Sequence, residues 1–311
     1  MDATLSMVAA RPQDADCRSA GLERLTQITL DDLISSFGWQ DRRVVAGLSR
    51  KLFRKAAHRF ARQIAEFDAA VGRRGLVDAA HAALSNYVTG IRVLGREHVP
   101  DGPFLALSNH PGMTDALSLF AALDRPDLLA VALERPFLQA LPQMSKRLCC
   151  VSDRRGAAMA AVRRVGSHLR GGGAALTFPA GHIEPDPAVH GRAAASLASW
   201  APSAGAFLRL APEAAILPVA VSGVTWPATL HRLLGQGAVE TGPGKAGAAL
   251  QLLAHLVLKV RPAGASVHIG RPIHARGLDP QSLHQAVLAE MARMMGDACQ
   301  RASQRDHDAS T

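Results

Sequence analysis

Hydrophobic and polar positions change their rhythm near residue 90. From Leu30 to about residue 86, apolar side chains recur every three or four positions, among them Val45, Leu48, Leu52, Ala56, Phe60, Ile64 and Phe67. That is the period of an amphipathic helix. "TLDDLISSF" opens this region, with Thr29 as a candidate N-cap. After Gly90 the apolar residues gather instead into short runs: "IRVLG", "FLALSN", "LLAVAL", "AALTFPAG", "AAILPVAVSGV" and "SVHIGRPI". Helical stretches separate them, "DALSLFAAL", "RGAAMAAVRRVGSHLR" and "AAASLASWAPSAGAFLRLA", and a last amphipathic helix covers about 281–301. Short apolar strands alternating with helices predict an α/β domain with a largely parallel central sheet flanked by helices. The expected division is a flexible N-terminus (1–29), a basic helical extension (30–88), the α/β domain (89–303) and a flexible tail (304–311). "GQGAVETGPGKAG" at 235–247 reads as a glycine-rich loop.

Sites in such sheets form beyond the carboxyl ends of strands. "LSNHPGMTD" occupies that position after "PFLA", and "TFPAGHIEPD" occupies it after another run. In the first, a strand-turn-helix could fold Asp115 back onto one ring nitrogen of His110, leaving the other to act as a base. The alternative is an ordinary turn in which Asp115 only caps the helix. A second pair of the same spacing, His274 and Asp279, is set off from its apolar run by Gly270, Arg271 and Pro272 and is read as coincidence. No nucleophilic serine or cysteine is evident beside His110, so a base there would deprotonate a hydroxyl that a substrate brings.

Lysine and arginine outnumber aspartate and glutamate by 35 to 26, which favours a negatively charged partner: nucleic acid, an anionic membrane or a phosphorylated small molecule. Only 4% of residues are aromatic and no recognition motif is present, so nucleic acid is not expected. The helical stripe is flanked by Arg42, Arg43, Arg50, Lys51, Arg54, Lys55, Arg59 and Arg62, with no acidic residue from 42 to 64. Such a helix can lie on anionic headgroups, or show a solvated basic face while its apolar side packs on the main domain; the two are compatible. Cys17, Cys149, Cys150 and Cys299 lack metal-ligand spacing, so no metal is expected, and reduced thiols in a cytoplasm are. The first 30 residues lack the pattern of a signal peptide. "AGAALQLLAHLVLKV" at 246–260 falls short of a membrane span and predicts a packed helix. "RGGGAAL" at 170–176 lacks nucleotide-loop spacing and predicts a helix-to-strand turn.

"NHPGMTD" resembles the Asn-His-x4-Asp motif of the glycerolipid acyltransferase family, which includes the 1-acylglycerol-3-phosphate acyltransferases. Three later blocks follow in the family's order over about residues 90–275. "LCCVSDRRG" at 148–156 is similar to the second and aligns Arg154; "LTFPAGHIEPD" at 176–186 to the third, Phe-Pro-Glu-Gly-Thr; "AILPVAVSG" at 215–223 to the fourth, around Pro218. The resemblance implies His110 as general base helped by Asp115, with direct acyl transfer from acyl-CoA or acyl carrier protein to an acceptor hydroxyl and no cofactor. It also implies substrate-binding roles for Asn109, Arg154, Phe178, Pro179, Gly181, His182, Glu184 and Pro218; Arg155, Arg163 and Arg164 are further phosphate candidates, with a solvated helix face the favoured reading of Arg163 and Arg164. Backbone amides near Gly112 or Gly181 are the expected oxyanion donors. The third block departs from the family: Ala180 stands in place of its glutamate, and His182 and Ile183 follow the glycine. The expected acceptor is therefore a lysophospholipid-like molecule, with lyso-ornithine lipid, or a turnover-free lipid-binding role, as alternatives. A peripheral location on the inner face of the cytoplasmic membrane is expected, with His182 or Glu184 replacing the missing contact.

Overall fold

The structure, a computed structural model, describes residues 12–112, 114–152, 154–225, 244–258 and 264–308. The glycine-rich loop expected at 235–247 lies outside these up to residue 243. The strands are β1 (Ile91–Leu94), β2 (Phe104–Ser108), β3 (Leu129–Leu133), β4 (Leu148–Val151), β5 (Ala174–Thr177), β6 (Ala215–Ser222), β7 (Ala265–Ile269) and the short β8 (Ile273–His274). They form one sheet in the order β1-β7-β6-β2-β5-β3-β4, with β8 paired to β6. From β6 through β2, β5 and β3 to β4 all pairings are parallel; β7 and β8 run antiparallel to β6, and β1 lies parallel to β7. β4 was not among the apolar runs, because four residues that include the exposed Cys150 make too short a pattern to stand out.

Helices cover both faces, as near-continuous apolar strands require. β2 shows why: Phe104 and Ala106 enter one cluster and Leu105 and Leu107 the other, the two-residue period of a strand buried on both sides. The first cluster is closed by α1 (Pro12–Ser36), α2 (Arg43–Arg74), α3 (Leu76–Leu84) and α4 (Asp115–Leu123). α5 (Pro136–Gln139) packs partly against the same cluster. α6 (Ala157–Arg170) and α7 (Ala204–Leu208) cover the opposite face. α8 (Gly244–Leu258) returns to the first cluster, and α9 (Pro280–Asp308) lays Leu283, Val287, Met291, Met294 and Met295 on the second.

Five expectations are corrected. Residues 12–29, expected to be flexible, are helical, and Thr29 is no cap: its hydroxyl donates to the Leu25 carbonyl at 2.8 Å inside α1. Thr26 and Thr29 look polar in sequence, yet both are buried, so the packed face of α1 was hidden. The helix turns off at Gly38, whose φ of 68° suits glycine. The last helix continues to Asp308, past residue 303. The stretch "AAASLASWAPSAGAFLRLA" divides into a 3-10 segment (Ala193–Ser199) and α7, because Pro202 cannot donate within a continuous helix. The α2 stripe also divides: Ala56, Phe60 and Phe67 are buried, whereas Val44, Leu48 and Leu52 are 85%, 68% and 72% exposed.

Pro218 in the middle of β6 is tolerated because it falls at the break between β8 and β7, where no ladder pair requires its N–H and its carbonyl accepts from the Gly270 amide at 2.8 Å. No described helix is long and apolar enough to cross a membrane.

Candidate active site at the carboxyl edge of the sheet

β2 delivers Ser108, Asn109 and His110 to the carboxyl edge of the sheet. Asn109 is fully buried, and its side-chain amide imitates one more step of the β2–β6 ladder: Nδ2 donates to the Val221 carbonyl (2.9 Å) and Oδ1 accepts from the Val221 amide (2.8 Å). Ser108 is sealed too, its hydroxyl donating to the Asn109 carbonyl at 3.0 Å, and offers no nucleophile.

The chain then turns, and Asp115 opens α4 with its carboxylate aimed back at the turn. Its Oδ2 lies 2.6 Å from His110 Nδ1 and accepts from the Gly112 amide at 3.0 Å, while Oδ1 accepts from the Ala116 amide at 2.6 Å. The first amides of a helix favour an anion there. A carboxylate can only accept, so the hydrogen bond assigns the imidazole proton to Nδ1 and leaves the Nε2 lone pair free. The His110 side chain remains 32% exposed, with its ring 4.7 Å from that of Phe178 at an interplanar angle of 33°.

A second carboxylate holds the His110 backbone. Glu184 Oε2 accepts from the His110 amide (2.9 Å), and the Glu184 amide donates to the His110 carbonyl (2.8 Å). Oε1 accepts from Ser196 Oγ (2.8 Å) and Trp200 Nε1 (2.9 Å). Asp186, equally buried, accepts from the amides of Ala188, Gly223, Val224 and Thr225 and from the Thr225 hydroxyl. Gly223 makes that grip possible: its φ is 74°, and a Cβ there would meet the Gly264 carbonyl oxygen at 2.5 Å.

Burial opposes charging of the His110 ring, but the Asp115 carboxylate, by charge and hydrogen bond, outweighs it with help from Glu184. Arg135 acts in the other direction, and the net result is a pKa raised above the usual histidine value. A raised pKa suits a group that must accept a proton and hold it briefly.

Residues 90–222 match the protein family described as Acyltransferase. This segment belongs to the acyltransferase family. No curated protein matches the chain. Among solved structures, the 1-acyl-sn-glycerophosphate (LPA) acyltransferase PlsC from Thermotoga maritima is similar at 17% identity and a TM-score of 0.44, over 93% of this chain and 97% of that one. A likeness that loose says nothing about the substrate of this chain.

Within the acyltransferase segment, three of the four blocks converge. The first supplies Asn109, His110 and Asp115, the third Phe178 and Glu184, and the strand of the fourth is stapled to the first through Asn109 and Val221. Pro218 itself is buried inside the sheet beside Leu107, and Asn109 and Glu184 are likewise closed to any ligand. Pro179 is buried; Gly181 and His182 are exposed on the loop, with His182 Nδ1 2.8 Å from the Ala180 carbonyl. The second block stands apart. Arg154 is exposed, its Nη2 2.7 Å from Glu134 Oε2 and its Nε 3.2 Å from Ser152 Oγ. Both expected oxyanion donors are already engaged, Gly112 by Asp115 and Gly181 by the Phe178 carbonyl at 3.1 Å. Asp279 of the coincidental pair caps α9 through the amides of Gln281 and Ser282.

The sequence reading missed Asp186, Ser196, Trp200 and Arg135 in this acyltransferase edge. Glu184-Pro-Asp186 was the visible signal, two carboxylates straddling a proline just beyond a strand. Arg135 follows the end of β3 much as His110 follows that of β2, and a charged pair at a strand end was its signal.

Proposed function

We propose that the protein is a peripheral membrane O-acyltransferase that moves a fatty acyl group from a thioester to the hydroxyl of a lysophospholipid-like acceptor. The observation that carries this reading is the 2.6 Å contact between His110 Nδ1 and the buried Asp115, with the ring still reachable at the sheet edge. Nε2 takes the acceptor's hydroxyl proton, the oxygen forms a bond to the thioester carbonyl carbon, the carbon–sulfur bond breaks, and the imidazolium returns the proton to the departing thiolate. Asp115 and Glu184 stabilise the imidazolium between those steps. With Ser108 sealed, transfer is direct, without an acyl-enzyme.

Ala180 favours an acceptor other than glycerol 3-phosphate or lysophosphatidate. Glu184 does not replace the missing carboxylate, because all its bonds turn inward. Arg135, whose charge reaches the imidazole, is the cation available to an acidic headgroup, and His182 lies exposed on the loop of the third block. Lyso-ornithine lipid is the second acceptor reading, on the same observation at Ala180.

Approach to the membrane falls to the helical extension ahead of the 89–303 catalytic domain. Val44, Leu48 and Leu52 form an exposed apolar row on α2, bordered by Lys51 and Lys55, and Trp39 stacks at its base against Phe37, with ring centroids 4.7 Å apart. An apolar row with basic borders and an aromatic anchor fits the inner face of an anionic cytoplasmic membrane.

Purified protein given palmitoyl-CoA and a panel of lysophospholipids and lyso-ornithine lipid should release thiol and form the acylated product seen by mass spectrometry. His110→Ala should cut the rate about 10² to 10⁴-fold. Undiminished turnover in that variant, or no product with any acceptor, would overturn the assignment.

A further inference from the structure

At the far edge of the sheet, Arg154, Arg155 and Arg163 line an open cavity of about 540 Å³ together with Glu134, Cys150 and Gly156. His110 is not among its walls. β4, the edge strand, is the third from β2 through β5 and β3, which at roughly 4.8 Å per strand sets the cavity about 14 Å from the strand that carries the base. It opens on the same edge: Ala106, Leu176 and Ala130 are level across the strands, and Leu133 stands opposite Val151.

Among the described residues that line it, the cavity holds three arginines against one carboxylate, Glu134. Arg154 is tied to Glu134, but among the described residues Arg155 and Arg163 have no ion-pair partner. From 153 to 170 the chain holds five arginines and one acidic residue, Asp153. Several guanidinium groups around one concavity repel each other until an anion joins them, and their forks match phosphate oxygens.

Distance decides which substrate brings the phosphate. A lysophospholipid keeps its phosphate only a few bonds from its free hydroxyl, so a phosphate in this cavity would leave that hydroxyl far short of Nε2. In a coenzyme A thioester the whole pantetheine arm, with its two amides, separates the reacting carbonyl from the phosphates. We propose that the cavity binds the 3′-phospho-ADP end of an acyl-CoA donor, whose pantetheine arm crosses the ends of β3 and β5 to reach His110. The inference rests on the acyl-transfer reading above. Coenzyme A fits better than a carrier protein because a nucleotide with three phosphates matches three arginines and a cavity of this size, whereas a lone phosphodiester would leave most of it unfilled.

Calorimetric titration with coenzyme A, which needs no turnover, tests the site. The wild-type protein should bind it, and the double variant Arg155→Ala, Arg163→Ala should bind it at least about tenfold more weakly while melting at the same temperature. Dephospho-coenzyme A should bind the wild type more weakly than coenzyme A does, a difference the variant loses, and Arg155→Lys with Arg163→Lys should recover part of the affinity. In turnover, KM for palmitoyl-CoA should rise in the alanine variant with the acceptor KM and kcat unchanged. Equal coenzyme A affinity in the folded variant, a rise confined to the acceptor KM, or wild-type binding of holo acyl carrier protein but not of coenzyme A would each overturn the proposal. Arginine-dependent coenzyme A binding without any acyl transfer would instead overturn the catalytic reading and leave this site standing.

Discussion

His110 sits between two carboxylates that act on it by different routes. Asp115 touches the ring and selects its tautomer, while Glu184 never reaches the ring, holds the backbone and contributes only its field. Because Glu184 raises the His110 pKa and Arg135 lowers it, removing each charge has opposite consequences. In the proposed transfer His110 must be neutral to act, so kcat/KM should fall as pH drops through a pKa that lies above the ordinary value of about 6.5. Glu184→Gln should move this acid limb to lower pH and Arg135→Ala should move it to higher pH, as read from kcat/KM profiles. Limbs that stay in place would show that the field of neither residue matters. Glu184→Gln should also cost stability on the order of 1–3 kcal/mol, since an amide group would then face one of the three donors that the carboxylate satisfies. His110 and Asp115 were legible in the sequence because their spacing follows a strand end. The burial of Glu184 was not, since nothing local distinguishes a carboxylate that meets a ligand from one that turns inward to Trp200.

At the scale of elements, α2 serves two surroundings along one face. From residue 56 onward it buries Ala56, Ala57, Phe60 and Ala61 against the core, and ahead of that it leaves Val44, Leu48 and Leu52 in the open. Part of the basic charge flanking it is already engaged by α1, Arg50 with Asp31 at 2.5 Å and Arg54 with Glu23 at 2.9 Å. The apolar row therefore has to contribute much of any membrane affinity, at about 1.5–3 kcal/mol for each leucine that leaves water. Leu48→Asp with Leu52→Asp should abolish co-sedimentation with anionic phospholipid vesicles while leaving the melting temperature nearly unchanged, because neither side chain packs in the fold. Retained sedimentation would assign vesicle binding to another surface. The three- and four-residue period of the stripe was plain in the sequence, but where it leaves the core was not, since that depends on which distant elements pack against each turn of α2.

Across the whole molecule, the site is held by ties between segments distant in the chain. Asp186 gathers its own loop and residues 223–225 beyond β6, Asn109 pins β2 to β6, and Glu184 pins the loop after β5 to the end of β2. Asp186→Ala would orphan the buried amides of Val224 and Thr225, the part-buried amides of Ala188 and Gly223 and the Thr225 hydroxyl, and should lower the unfolding free energy by several kcal/mol at about 1–3 kcal/mol per buried orphaned group, measured by urea denaturation. A loss below about 1 kcal/mol would mean that water or neighbouring groups replace the carboxylate. The alternation of short apolar strands with helices, by itself, determined a largely parallel sheet covered on both faces, and placed "NHPGMTD" at a strand end, because period and length are local properties of the chain. Only the tertiary structure decided that Arg154 stands three strands from the one that carries His110, that Pro218 and Asn109 lie within the sheet rather than in the open, and that Glu184 faces inward. Strand order brings residues together or separates them, and neighbours in a sheet such as β2 and β6 lie more than a hundred positions apart in sequence, where no local pattern records the pairing.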